Sequence, residues 1–105
     1  MKPLRTSRDA KAEYSKASEK DLAGIGAYTR RTWGETRTSR YLDEIEDCIE
    51  ALAANPLMGR ACDGIRPGMR RMEAGRHVIF YRIVKAGILV SRILHQRMLP
   101  QGRFH

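Results

Sequence analysis

The sequence predicts an α+β fold, an N-terminal helical hairpin packed on a small antiparallel β-sheet. Two apolar stripes of helical period occupy the first half, the clearer running from Tyr41 to Leu52. Beyond residue 68 the pattern changes to short, closely spaced runs rich in β-branched and aromatic residues. Helices grouped before strands, not alternating with them, place the hairpin on one face of a sheet. The 105 residues suit one domain. A chain of this length buries roughly 65% of its unfolded surface, enough for one core and little for a deep substrate cavity.

Residues 1–10, MKPLRTSRDA, lack periodicity and read as a flexible basic arm. Lys11–Tyr14 allows a short edge strand. The first helix starts after Ser15 or Ser18; Ser18 and Asp21 form a loose capping box. Leu22, Ile25, Thr29, Thr32 and Trp33 follow one buried stripe, and Gly34 supplies the stop. Gly24 and Gly26 each cost about 1 kcal/mol in a helix interior, so this helix depends on its packing partner. Thr36 or Thr38 can cap the second helix. Tyr41, Leu42, Ile45, Cys48, Ile49 and Leu52 share one face, and Asp43, Glu44, Glu46, Asp47 and Glu50 lie mostly on the other. Pro56 ends the helix by pushing Asn55 out of helical geometry. The short link Gly34–Arg37 makes an antiparallel hairpin over residues 16–55.

Five Gly and Pro residues between 56 and 68 mark a loop. Three strands follow, Met69–Glu73, Arg76–Val84 and Ile88–His95, joined by turns at Ala74-Gly75 and Lys85-Ala86-Gly87; residues 99–105 read as a tail. The expected core comprises Leu22, Ile25, Trp33, Leu42, Ile45, Ile49, Leu52, Phe80 and Val90. In the second strand Val78, Phe80, Arg82 and Val84 point one way and His77, Ile79, Tyr81 and Ile83 the other. One face covers the helices; the other is too apolar for plain solvent surface, which points to a partner covering it.

The net charge of +8 is uneven. Residues 1–16 carry +3, residues 17–59 carry −3 and residues 60–105 carry +8. The C-terminal half therefore attracts polyanions or acidic proteins, and its many arginines suit two-point binding of carboxylate or phosphate. Cys48 falls on an apolar stripe and reads as a small core residue; two lone cysteines make no disulfide framework, so a reducing compartment, the cytoplasm, is expected. No apolar run approaches the roughly 20 residues a membrane span needs. There is no phosphate-binding glycine loop, zinc spacing or Ser/His/Asp motif, and His77, His95 and His105 with the two cysteines form no recognisable ligand set, so neither metal nor cofactor is expected.

The segment from Arg92 to Met98 delivers Arg92, His95 and Arg97 at a strand end. With Arg70, Arg71, Arg76 and Tyr81 it composes a cationic patch holding an imidazole and a phenol. Such a patch fits phosphate binding and proton transfer, as in a ribonuclease, protein docking through Arg, Tyr and Met, or a strand end whose histidine simply bonds to a loop.

These pieces together resemble the ParE branch of the ParE/RelE superfamily of type II toxin–antitoxin toxins. The resemblance covers about residues 11–98. It rests on Ser15, Asp21-Leu22, Tyr28 and Trp33-Gly34, on the run from Leu52 to Arg60 with its Asn55-Pro56 and Gly59-Arg60, and on the run from Ile65 to Arg70. Its strongest parts are Gly75 to Arg82 (GRHVIFYR) and Arg92 to Met98 (RILHQRM). The chain departs from the pattern in its N-terminal arm, in Lys16 where a Pro is common, and in Gly24 and Gly26. The resemblance implies a RelE/ParE-like fold and a toxin that inhibits DNA gyrase by protein–protein binding, with no enzymatic activity of its own. It implies neutralisation by a ParD-like antitoxin in a hetero-oligomer that binds operator DNA through the antitoxin. Arg70, Arg71, Arg76, Arg92, His95, Arg97 and Met98 are then the candidate target-binding residues. Leu22, Ile25, Tyr28, Trp33, Ile79 and Tyr81 are the candidates for antitoxin binding. RelE-like relatives instead cut mRNA on the ribosome; on that alternative His95, Arg97 and Tyr81 are the catalytic candidates.

Overall fold

Residues 10–99 are described by a computed structural model. Helices α1 (Lys16–Trp33) and α2 (Glu35–Ala54) form the hairpin. Strands β1 (Lys11–Tyr14), β2 (Arg60–Ala61), β3 (Met69–Ala74), β4 (His77–Val84) and β5 (Gly87–His95) form one sheet in the order β1-β5-β4-β3-β2. Single 3₁₀ turns cover Pro56–Met58 and Gln96–Met98. Apart from Ala10, which is buried, and Leu99, the expected arm and tail lie outside the described residues, as does His105. Among the described residues no helix is long and apolar enough to cross a membrane.

The sheet is mixed, not purely antiparallel. β1 runs parallel to β5, with Lys11 opposite Gly87 and Tyr14 opposite Val90. Ser15 explains the direction: it ends β1 and caps α1 at once. Its Oγ accepts the Ser18 N–H at 3.0 Å and donates to the Ser91 carbonyl at 2.8 Å. Ser91 has no partner on β4, because the register passes from Phe80↔Arg92 to Tyr81↔Val90. Ser15 is thus the true cap, and Ser18 is a buried hydroxyl that donates to the Ser15 carbonyl. The hairpin link is shorter than expected. Gly34 alone separates the helices, at φ +89°, a left-handed conformation that glycine tolerates. Neither Thr36 nor Thr38 caps α2; Thr38 donates to the Gly34 carbonyl at 2.6 Å from inside the helix. β2 was not expected either. It is two residues long and lies inside the Gly- and Pro-rich segment, pairing with Arg70 and Arg71.

The main core lies between hairpin and sheet. Ile25, Ile45, Ile49, Leu52 and Ala53 meet Ile79, Tyr81, Ile88, Val90 and Ile93, with Leu22, Leu42 and Cys48 half-buried at its margin. Burial pushes the Cys48 thiol up from its ordinary pKa. Trp33, expected in this core, is 55% exposed. It keeps phase with the stripe but ends α1 at the hairpin tip, where the Arg37 guanidinium lies 4.6 Å from its ring centroid.

The opposite sheet face needs no partner to cover it. Met69, Val78, Phe80 and Leu94 form a second cluster there, with Cys62, Ile65 and Leu99 packed against it. The chain's own loop and C-terminal segment do the covering, and Phe80 belongs to this cluster, not to the helical side.

Leu52 is fully buried in the main core. Leu52→Ala is expected to cost about 2–5 kcal/mol, whereas Trp33→Ala should cost well under half of that. Urea denaturation of the two variants measures both.

Candidate functional site: a groove between the hairpin and the sheet end

A groove of about 930 Å³ opens between α1 and α2 on one side and the β3–β4 turn and the end of β5 on the other. Asp21 fixes the first wall. Its carboxylate accepts the Arg92 Nε–H at 2.8 Å, an Arg92 Nη2–H at 3.0 Å and the Ile93 backbone N–H at 2.8 Å. This two-point, charge-assisted pair ties α1 to β5. Arg92 was expected to face a target. It is instead committed to Asp21, because that buried-edge carboxylate needs a cation.

Tyr41 from α2 fixes the second wall. Its hydroxyl lies 2.6 Å from His77 Nδ1 and accepts the Arg76 N–H at 3.1 Å. Gly75 turns the chain beneath it at φ +61°, and a Cβ there would sit 2.6 Å from the Tyr41 ring. Burial pushes the Tyr41 phenol up, so it stays a donor. Burial first, and then the neighbouring His95, lower His77 from 6.5 to about 4 against the opposing pull of Asp21. A neutral His77 accepts the Tyr41 proton. The His95 ring stands edge-on to it at 5.1 Å, and His95 Nδ1 accepts the Arg97 N–H at 3.0 Å, leaving Nε2 to carry the ring proton.

The expected target-binding residues divide three ways. Arg76, His95, Arg97 and Met98 line the groove. Arg92 is in the clamp. Arg70 and Arg71 lie elsewhere: Arg70 donates to the Gly59 carbonyl at 2.6 Å, and Arg71 pairs with Glu73 at 3.3 Å. Of the expected antitoxin contacts, Tyr28 and Trp33 are exposed in the groove. Ile25 is only its buried floor, and Leu22 is half-buried against the core. Ile79 and Tyr81 are fully buried in the core and offer no docking surface. Both lie on the face that the hairpin covers.

Tyr81 is also no free phenol for catalysis. Its hydroxyl donates to the Pro56 carbonyl at 2.7 Å and accepts the Gly59 N–H at 3.0 Å. Asp21, Arg37, Arg40 and Tyr41 also line the groove, and no local sequence pattern announces them there. Tyr41 looked like ordinary stripe and Asp21 like a cap. Among the described residues no group of three or more His, Cys, Asp or Glu side chains could hold a metal ion. The groove offers aromatic and thioether anchors (Tyr28, Trp33, Met98) beside Arg37, Arg40, Arg76 and Arg97. That chemistry suits an acidic, amphipathic protein segment.

Residues 12–100 match the family described as ParE toxin of type II toxin-antitoxin system, parDE. The chain is 46% identical over 85 residues to Toxin ParE1 of Mycobacterium tuberculosis, covering 80% of this chain and 87% of that protein. It is 40% identical over 98 residues to Toxin ParE1 of Caulobacter vibrioides, covering 93% of each. Among solved structures, the chromosomal ParDE TA system from P. aeruginosa shares the fold, with a TM-score of 0.71 at 19% identity over 83% of this chain and 96% of that one.

The half-buried His77 sets a pH dependence. The unfolded chain takes up a proton near pH 6.5, but folded His77 does so only near 4. Between these values the unfolded state binds more protons, so stability falls as pH is lowered through the window. His77→Asn should remove part of that fall. Urea midpoints of the two proteins between pH 4 and pH 7 measure the difference.

Proposed function

This chain belongs to the ParE toxin family of type II toxin–antitoxin systems, and we propose that it inhibits DNA gyrase by protein–protein binding and is neutralised by a ParD-like antitoxin. The observation that carries this reading is the groove. Exposed Tyr28, Trp33 and Met98 stand beside four arginines in one concave surface, the composition of a protein-docking hot spot. An antitoxin segment with an apolar stripe and flanking carboxylates fits it, as a helix does in a groove. The ParDE system of the P. aeruginosa neighbour supports such a partner. The antitoxin complex is a cytoplasmic hetero-oligomer that reaches operator DNA through the antitoxin.

The groove chemistry favours docking over RNA cleavage. A general base must reach the 2′-hydroxyl it deprotonates. Tyr81 spends its hydroxyl on the 56–59 turn, and His77 is half-buried against Tyr41. His95 is half-buried, edge-on to His77 with its Nδ1 taken by the Arg97 N–H.

Two assays run in parallel test the target. Purified chain is incubated with gyrase and supercoilable plasmid, and separately with translating ribosomes and labelled mRNA. Lost supercoiling or trapped cleaved plasmid, with intact mRNA, is the expected result; cut mRNA with gyrase unaffected overturns it. For the antitoxin, Tyr28→Ala with Trp33→Ala is expected to weaken the complex by about 2 kcal/mol or more, roughly 30-fold. Titration calorimetry with the product of the adjacent gene measures that loss.

A further inference from the structure

We propose that the turn Pro56–Gly59 is the surface that docks on the target, separate from the groove that takes the antitoxin. The inference rests on the gyrase reading above and assigns the contact within it. Leu57 is 73% exposed and Met58 44%, side by side on one 3₁₀ turn. The other large exposed apolar residues described are Tyr28, Trp33 and Met98 in the groove, and Ile83.

A buried tyrosine and a half-buried arginine hold this turn in one conformation. The Tyr81 hydroxyl bridges its ends, donating to the Pro56 carbonyl and accepting the Gly59 N–H. Arg70 Nη2 donates to the Gly59 carbonyl at 2.6 Å and to the Leu57 carbonyl at 3.3 Å. Gly59 is buried where no other residue fits, since a Cβ would meet the Tyr81 oxygen at 2.5 Å and the Arg71 carbonyl at 2.6 Å. A fully buried tyrosine and an arginine are thus both spent on four residues whose two central side chains point to solvent. A surface held in this way loses little conformational entropy when it binds.

The charge around the turn selects the partner. Arg60 and Arg71 face each other across β2 and β3 and share one carboxylate, Glu73, at 3.1 and 3.3 Å. Arg70 adds a third guanidinium, and the carboxylate of Asp63 is engaged by the Gly68 N–H. Three guanidiniums against the carboxylates of Glu73 and Asp63 leave this edge of the sheet net positive by one charge. An apolar pair beside a cationic sheet edge fits an acidic protein surface with an apolar pocket. A nucleic acid would use the arginines but gain nothing from Leu57 and Met58. The occupant is the target protein.

The test uses the full chain with Leu57→Ser and Met58→Ser together, a Gln pair at the same positions, and Ile83→Ser as a control of like exposure. Thermal midpoint, antitoxin affinity and half-inhibition of gyrase supercoiling are read for each. Both double variants are expected to keep wild-type stability and antitoxin affinity while needing about tenfold or more chain to inhibit gyrase; Ile83→Ser behaves as wild type. Double variants that inhibit as wild type does, or that lose antitoxin and gyrase binding in equal measure, overturn the inference alone. A wild-type chain that leaves gyrase untouched removes the target reading and this inference with it.

Discussion

The carboxylate of Asp21 holds the hairpin where the groove requires it. β1 pairs with β5 only as far as Val90, so the rest of that strand edge is left without a β partner. Open backbone donors and acceptors must find partners elsewhere. Ser15 takes the Ser91 carbonyl, and Asp21 takes the Ile93 N–H together with the Arg92 guanidinium. The N-cap and second turn of α1 thereby substitute for the missing strand. Once α1 is anchored there, the one-residue reversal at Gly34 determines where α2 returns. Tyr41 of α2 then reaches the Gly75 turn and His77. Both groove walls follow from that chain of contacts.

Much of this was legible in local pattern. The period of α2 announced Ile45, Ile49 and Leu52 as core, and all three are fully buried. The run from His77 to Val84 announced a strand, and the glycine turns on either side announced its neighbours. Period-two alternation, however, shows that a strand has two faces without showing what covers each. Ile79 and Tyr81 were placed on a docking surface for that reason, while Cys62 and Ile65, in a segment that read as plain loop, cover the opposite face. Trp33 illustrates a second limit, since phase along a helix does not say where the packing layer ends.

The site was less legible than the fold because its key contacts are long-range. Asp21 and Arg92 lie 71 residues apart, and Tyr41 and His77 lie 36 apart. An arginine at a strand end looks free in the sequence, which points Arg92 toward a binding surface. The same holds for Tyr81, whose hydroxyl reaches back 25 residues to the 56–59 turn. A patch assembled from neighbouring strand residues thus resolved into a clamp, a groove rim and a buttressed turn.

The proposed role makes this ParE-family chain a docking protein whose apolar anchors and arginines act by occupancy, without turnover. A titration of gyrase with the purified chain tests this most directly. Supercoiling is expected to fall in proportion to chain added, to level off once the gyrase is occupied and not to deepen with longer incubation. Progressive RNA cleavage by chain present far below the RNA concentration, with gyrase fully active at saturating chain, would contradict it.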